Sequence, residues 1–270
     1  MKTITPEEMA KLAIRIYEGP IHLVSSSHDL ALAVQVIRGE KVVGLDTETR
    51  PAFRKGESYL PCLVQIAVAS GAYLFQLKRM DFSRALTEIL ENPSLIKAGI
   101  GLADDIKSLK KVFPFQPQNL LDLSLAAQSQ GFEQSSVRSL AAQLLGFRVS
   151  KSTSTSNWAA NQLTPKQIAY AATDAWVCRE LFLRFKELGL LDPEGRPKKR
   201  PLHLVAKDYV DILERIERTK DPQKLQKLEE KRAAIHWNFM ESLKEQGIEF
   251  GDRFDTAKKA FELVQKAKVQ

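Results

Sequence analysis

Residues 42–51 read VVGLDTETRP, an apolar run that ends in two acidic side chains. Its β-branched start indicates a buried β-strand. Asp46 and Glu48 lie two positions apart, and side chains at that spacing point to the same side of a strand. Because α/β folds place their sites at strand ends, these two carboxylates are candidates for one functional site. The alternative is that charged residues simply follow the strand as it leaves the core.

Outward from this strand, the sequence predicts a mixed sheet. The runs CLVQIAVAS (62–70) and AYLFQL (72–77) are separated by a single glycine, which predicts an antiparallel meander with the first strand. Further along, short apolar strands alternate with amphipathic helices. This order predicts an α/β fold, with a mixed sheet flanked by helices. The longest helical pattern follows Thr164, a natural N-cap, and has Pro165 at its first position.

Two further groups of residues could add acids to the site. Asp104 and Asp105 follow KAGIGLA at a predicted strand-to-helix junction, where capping of the helix is the alternative role. Tyr170 and Asp174 are four residues apart and so share one helix face. An aspartate in the middle of an apolar helix needs a compensating partner. A hydrogen bond to the tyrosine would suffice, and so would a metal ion.

Together these carboxylates form a hard, all-oxygen ligand set, which suits Mg²⁺ or Mn²⁺. Zinc is disfavoured because the histidines show no ligand spacing: His22, His28, His203 and His236. The segment GIGLADD lacks the third glycine of a dinucleotide-binding loop.

Three motifs in chain order resemble the DEDD superfamily of 3′–5′ exonucleases. Asp46-x-Glu48 on a strand matches the first motif, and Tyr170-x-x-x-Asp174 on a helix matches the third. The tyrosine indicates the tyrosine-bearing (DEDDy) branch, which includes ribonuclease D and the exonuclease domain of the Werner syndrome helicase. The resemblance covers about residues 20–190.

The second motif selects Asp105 over Asp104. In the family this aspartate lies six residues after a glycine and four before a leucine, and Gly99 and Leu109 stand at those distances from Asp105. The family also often has a Lys-Ser pair followed by Ser-x-Trp. This chain has Lys151-Ser152 and Ser156-Asn157-Trp158.

The resemblance implies a ribonuclease H-like fold and a two-metal-ion mechanism that releases 5′-nucleotides from the 3′ end of nucleic acid. Two divalent cations, Mg²⁺ or Mn²⁺, about 3.5–4 Å apart would clamp the scissile phosphate. Asp46 and Asp174 would bind the first ion, and Glu48 would bind metal and orient the terminal nucleotide and a water. Asp105 would hold the second ion. Tyr170 would orient the attacking water.

Family analogy adds four candidates for contacts to nucleic acid. Gln65 lies on the neighbouring strand, and Trp158 could line a nucleotide groove or pack in the core. Arg148 and Lys151 are candidate phosphate contacts, with solvation as the alternative. The expected partner is a single-stranded or 3′-recessed nucleic acid. Whether it is DNA or RNA stays open, although KAGIG and SNW resemble the DNA-degrading, Werner-like branch.

A catalytically inactive nucleic-acid-binding module on the same fold is the competing function. Intact acids at all four motif positions argue against it, because a pure scaffold gains nothing from negative charge beside a phosphate.

Composition agrees with a polyanionic partner, since the net charge is +7 and the pI about 9.3. Residues 201–270 hold 14 Lys/Arg against 13 Asp/Glu, so the positive excess lies earlier in the chain. Cys62 and Cys178 lie in apolar runs and are predicted to be buried free thiols, typical of a reducing compartment. The opening stretch 1–19 predicts a capped amphipathic helix. With no membrane-spanning run, we expect a cytoplasmic protein, and the nucleoid or nucleus is also compatible.

A domain boundary is predicted at residues 192–201, DPEGRPKKRP, which are rich in proline, glycine and charge. This linker would separate an exonuclease domain, 1–191, from an α-helical C-terminal region, 202–270. The near-zero net charge of that region argues against an autonomous nucleic-acid clamp. We expect helices at 203–244 and 252–268 that pack on the exonuclease domain or mediate self-association.

Overall fold

The structure is a computed structural model, which describes residues 3–54, 56–151 and 153–245. The helix predicted at 252–268 lies outside the described residues, as does Ser152.

The described chain forms two compact units. The larger one extends as far as Lys198, and the smaller one holds Ser129–Gly131 and the described residues from Lys199 onward. The division falls inside the segment predicted as a linker. Residues 192–198 of that segment belong to the larger unit, where Gly195 lies against the side chains of Ile96 and Phe182.

One mixed sheet of six strands forms the centre of the larger unit as described. The strands are β1 (Ile21–Leu23), β2 (Val42–Thr49), β3 (Pro61–Ala67), β4 (Ala72–Gln76), β5 (Ile96–Gly99) and β6 (Leu120–Asp122). Their order in the sheet is β1-β4-β3-β2-β5-β6. β2, β3 and β4 pair antiparallel, as the predicted meander requires, whereas β1–β4, β2–β5 and β5–β6 pair parallel.

Helices flank this sheet. In the larger unit they are α1 (Pro6–Lys11), α2 (Ser27–Arg38), α3 (Ser83–Glu91), α4 (Leu102–Leu109), α5 (Leu123–Ser129), α6 (Val137–Leu140) with a following π-helical turn (Ala141–Leu145), and α7 (Pro165–Glu187). The smaller unit contains α8 (Leu202–Arg218) and α9 (Pro222–Glu245). The predicted α/β class with C-terminal helices is confirmed.

Side-chain alternation along the strands divides the core between the two faces of the sheet. Leu45 and Val64 face a cluster that includes residues of α2, α3 and α4. Leu63 faces the opposite way and packs with Ala171 of α7. Asp46 and Glu48 alternate with Leu45 on β2, so they leave the strand on the α7 side.

The helix predicted for residues 1–19 is wrong beyond Lys11. A capping box between Thr5 and Glu8 starts α1, but the backbone becomes extended at Leu12. The amide of Arg15 donates to the carbonyl of Arg148 at 3.0 Å, and the amide of Tyr17 donates to Thr173 Oγ1 at 2.9 Å. Because these amides have partners far along the chain, the helix does not continue.

The smaller unit buries its own apolar centre. Tyr209 and Ile212 of α8 pack with Phe239 of α9, and Arg200 forms a largely buried ion pair with Asp208. Trp237 lies on the outside of this pair of helices, with 72% of its surface exposed.

Cys62 and Cys178 are buried free thiols, as predicted. None of the helices in the described part of the chain has both the length and the apolar character needed to cross a membrane.

Candidate metal and catalytic site

A glycine sets how closely α7 approaches the acid-bearing strand. A Cβ on Gly44 would lie 1.9 Å from the carbonyl oxygen of Ala175 and 2.8 Å from the amide nitrogen of Arg179. Both are backbone atoms and cannot move aside, so a larger residue at position 44 would displace the helix. The absence of a side chain therefore brings Asp174, the neighbour of Ala175, beside β2.

The start of α7 fixes which residues face the sheet. Thr164 caps the helix by accepting from the amide of Gln167, and the Gln167 side chain accepts from the amide of Thr164 in return. From this start, Tyr170 and Asp174 fall on one face of the helix. The Tyr170 hydroxyl and the Asp174 carboxylate lie close enough for each to shift the pKa of the other.

Three carboxylates meet between β2 and α7. The ligand oxygens of Asp46, Glu48 and Asp174 all lie within 4.8 Å of one another. Asp174 is buried, and the other two side chains are half-buried. Such a set of hard oxygen ligands fits Mg²⁺ or Mn²⁺, and Cys or His does not contribute to it.

Burial raises the pKa of each of these acids, and repulsion by neighbouring carboxylates adds to the shift of Asp46 and Glu48. Burial, with the charges of Asp174 and Glu48, raises the pKa of Asp46 well above its ordinary range. Burial, with the charges of Asp174 and Asp105, raises the pKa of Glu48 to about 9. Burial also raises the pKa of Asp174, against an opposing interaction with Tyr170, which lowers it. The metal-free cluster therefore retains protons near neutral pH, and a cation that binds there must release them.

Asp105 lies at the start of α4, outside this group of three. Thr47 Oγ1 donates to Asp105 Oδ1 at 2.9 Å, which ties the aspartate to β2 between the two strand acids. Burial raises the pKa of Asp105, against the opposing hydrogen bond from Thr47. Its charge still contributes to the raised pKa values of Asp46 and Glu48, so it is an electrostatic neighbour of the cluster.

The capping role considered for Asp104 and Asp105 belongs to another residue. Asp122, at the end of β6, accepts from the amide of Leu102 at 3.0 Å and so satisfies one amide of the first turn of α4. Asp104 is exposed, whereas Asp105 is half-buried against Thr47. Sequence reasoning missed Thr47, although its position between the two acids already places it on the opposite face of β2.

Tyr170 is half-buried at the edge of the cluster. Burial, with the charges of Asp174 and Glu48, raises the pKa of its phenol far above neutral pH. The group is therefore a hydroxyl under ordinary conditions and can donate and accept hydrogen bonds. The ring of Trp158 lies 5.9 Å from the Tyr170 ring.

Two of the four candidates for nucleic-acid contacts are completely buried. Trp158 packs with Leu63 and Leu74, which is the core-packing alternative, and its Nε1 has no hydrogen-bond partner. Gln65 lies directly opposite Asp46 in the sheet, and neither atom of its amide has a partner. An unpaired buried polar group costs roughly 1–3 kcal/mol. Neither side chain lies where a nucleic-acid strand could touch it.

The other two candidates are more accessible. Lys151 is exposed. Arg148 is half-buried, and its Nε is buried without a hydrogen-bond partner.

A basic pocket of about 330 Å³ opens near the end of β4. Arg79 lies across it, with Nε donating to Gln76 Oε1 at 3.3 Å and Nη2 donating to the carbonyl of Asn161 at 3.2 Å. The residues that line the pocket are Gln76, Lys78, Arg79, Asn161 and Gln162.

The sheet register relates this pocket to the acids. Glu48 of β2 lies opposite Leu63 of β3, which lies opposite Gln76 of β4. Neighbouring strands are about 4.8 Å apart, so the Cα of Gln76 is about 10 Å from that of Glu48. The two side chains share a face of the sheet, because residues in register point the same way. The pocket and the acid cluster therefore lie at the same end of the strands, on the same face of the sheet.

Comparison with known proteins identifies relatives of the chain. Residues 21–189 match the family model described as 3′–5′ exonuclease. A ribonuclease D of Gluconacetobacter diazotrophicus is 29% identical over 221 residues, which are 80% of this chain and 53% of that protein. The mouse bifunctional 3′–5′ exonuclease/ATP-dependent helicase WRN is 32% identical over 154 residues, 55% of this chain and 11% of that protein.

The solved structure of Escherichia coli RNase D has a TM-score of 0.56 to this chain at 20% identity, and the match covers 93% of this chain and 76% of the other. At that identity the likeness shows a shared fold. The chain spans about half the length of the first curated relative and about a tenth of the second. Since the family model matches well over half of the chain, the protein belongs to the 3′–5′ exonuclease family.

Proposed function

We propose that the protein is an active, two-metal-ion exonuclease that hydrolyses phosphodiester bonds at the 3′ end of nucleic acid and releases 5′-nucleotides. The observation that carries this proposal is the convergence of Asp46, Glu48 and Asp174 within 4.8 Å. Without cations, such a cluster offers no positive charge to a phosphate. With cations it becomes a phosphate-binding site.

Each acid has a part in this proposal. Bound Mg²⁺ or Mn²⁺ would supply an activated water and neutralise charge on the scissile phosphate. Asp46 and Asp174 hold the first ion, and Glu48 orients the terminal nucleotide and the water. Asp105, whose side chain Thr47 fixes at 2.9 Å, holds the second ion from the α4 side.

Tyr170 serves to orient the attacking water rather than to remove its proton, because its raised pKa keeps it a hydroxyl. We expect Tyr170→Phe to lower kcat by about 10- to 100-fold, since misplaced reacting groups cost about that much. The kcat–pH profile should keep its shape, and the loss of kcat should persist at saturating Mn²⁺, so that weaker Mn²⁺ binding through Asp174 does not account for it. The measurement is steady-state kinetics beside a calorimetric Mn²⁺ titration. If the variant loses kcat relative to the wild type only at high pH, the wild-type tyrosine instead acts by losing its own proton.

The basic pocket at the end of β4 supports an extended strand as the substrate. A phosphate upstream of the 3′ end could reach Lys78 and Arg79, which follow Gln76, whose Cα is about 10 Å from that of Glu48. Replacing both Lys78 and Arg79 by glutamine should weaken binding of a decanucleotide. It should also lower the slope of log K against log salt concentration by about 1 to 2. Cleavage of a dinucleotide, which reaches only the acids, should be unchanged.

Lys41→Gln is the matched control for the pocket, because Lys41 is exposed at the opposite end of β2. If the Lys78/Arg79 variant loses dinucleotide cleavage as well, these residues stabilise the 159–161 loop, to which they donate hydrogen bonds, and do not bind the nucleic-acid strand.

The competing function, an inactive binding module, makes a different prediction. Such a module would bind a strand without shortening it. Matched DNA and RNA strands, digested side by side with Mg²⁺ or Mn²⁺, test both the activity and the polymer. Ribonuclease D relatives cover more of this chain than WRN does, so RNA is the first polymer to test.

Self-association through the C-terminal helices is also proposed, and the exposed Trp237 supports it. Light scattering of the full chain tests it. A monomer at all concentrations would remove this proposal.

A further inference from the structure

A buried glutamine on β3 has no apparent structural role. Gln65 is fully buried, and neither its Oε1 nor its Nε2 has a hydrogen-bond partner. Buried polar groups in folded proteins are nearly always paired, so an unpaired amide calls for a specific explanation. An apolar residue of similar size would fill the same space without leaving polar atoms unsatisfied.

The neighbours of Gln65 within the sheet restrict which groups its amide can form hydrogen bonds with. It lies opposite Asp46 on β2 and opposite Leu74 on β4. On its own strand and face, Leu63 packs in the apolar cluster with Ala171 of α7. Of these three neighbouring positions, Asp46 is the one with a polar side chain. Side chains at directly opposed positions of antiparallel strands are close, with Cβ atoms about 4.5–5.5 Å apart.

The chemistry of the two groups is complementary. An ionised carboxylate only accepts hydrogen bonds, whereas a carboxamide nitrogen offers two N–H donors. Carboxylates that bind metal ions are themselves usually held by hydrogen bonds, and the loss of such support typically weakens metal binding about 10- to 100-fold. No side chain in the described residues is seen to donate to Asp46, so a supporting donor from the neighbouring strand would complete this ligand.

We propose that Gln65 is a positioning residue that donates from Nε2 to the Asp46 carboxylate when a divalent cation is bound, and so fixes the orientation of that ligand. This inference rests on the proposed function, in which Asp46 is a cation ligand. It replaces the direct contact to nucleic acid that Gln65 was predicted to make, which complete burial prevents.

Gln65→Leu separates this role from a purely structural one. We expect the full-length variant to unfold at a temperature no lower than the wild type in the presence of chelator, because an unpaired amide is removed. Its affinity for Mn²⁺, measured by calorimetry, should fall about 10- to 100-fold. Gln65→Met, which is unbranched like glutamine but cannot donate, should show the same loss and serves if the leucine variant folds poorly.

Gln76→Leu is the matched control. Gln76 is also a buried glutamine on the same sheet face, but its Nε2 donates to the carbonyl of Ala160 at 2.6 Å. This variant should unfold at a lower temperature and yet bind Mn²⁺ within about twofold of the wild-type affinity, because an existing hydrogen bond and not a metal ligand is disturbed.

The wild-type titration distinguishes failure of the positioning role from failure of the proposed function. If wild type binds Mn²⁺ and both Gln65 variants bind it equally well, the positioning role is overturned while the exonuclease proposal stands. If wild type itself binds no Mn²⁺, the proposed function fails, and the role of Gln65 fails with it.

Discussion

Replacing Asp46 by asparagine is expected to lower the rate of 3′ shortening by at least about 10³-fold, which corresponds to about 4 kcal/mol of transition-state stabilisation. The ligand oxygens of Asp46, Glu48 and Asp174 lie within 4.8 Å of one another, so the change removes a carboxylate ligand from the cluster. Because asparagine has nearly the same shape, the fold should persist. The measurement is single-turnover digestion of an end-labelled strand, beside a Mn²⁺ titration of the same variant.

Asp104→Asn is the control for this experiment. Asp104 is an exposed acid in the first turn of α4, next to Asp105 in sequence, and it should be replaced with less than about a twofold effect. By contrast, Asp105→Asn should impair catalysis strongly. Equal effects of the two changes would contradict the assignment of Asp105, and full activity of the Asp46 variant would contradict the site itself.

The second large effect concerns stability in the absence of metal. We expect Glu48→Gln to stabilise the metal-free protein by roughly 1–3 kcal/mol at about pH 8. Burial and the neighbouring carboxylates raise the folded-state pKa of Glu48 to about 9, above its ordinary 4.5. The folded protein therefore binds this proton more tightly than the unfolded chain, and the stability that this provides is lost as pH rises from 4.5 towards 9. Glutamine does not ionise, so the variant avoids that loss.

Urea unfolding with chelator at about pH 5 and about pH 8 measures this effect. The free energy of unfolding of the variant should exceed that of the wild type mainly at the higher pH. Excess Mn²⁺ should then stabilise the wild type more than the variant, because the wild type offers the better ligand set. A stability difference that does not depend on pH would show that Glu48 is not a repelled, buried acid in the metal-free protein.

Local patterns were enough to predict the acids that lie on regular elements. Alternation along β2 places Asp46 and Glu48 on one face, and the Thr164 cap fixes the helix face that carries Tyr170 and Asp174. Both inferences need only the geometry of a single element. The meander of β2, β3 and β4 was predictable for the same reason, since short connections favour antiparallel neighbours.

Features that depend on contacts between distant residues were not predictable in this way. Thr47 and Asp105 are 58 residues apart, and Asp122 caps a helix whose own acids seemed suited to that role. The early end of α1 depends on amides that pair with residues far along the chain. The requirement for glycine at position 44 appears only when the backbone of α7 lies against β2.

The most direct test of the two-metal exonuclease is digestion of a 5′-labelled single strand by the wild-type protein in Mg²⁺ or Mn²⁺. We expect a ladder of products that shortens one nucleotide at a time from the 3′ end, with release of 5′-mononucleotides, and that stops when chelator is added. A strand that binds without shortening, is cut internally, or is still shortened in excess chelator would contradict it.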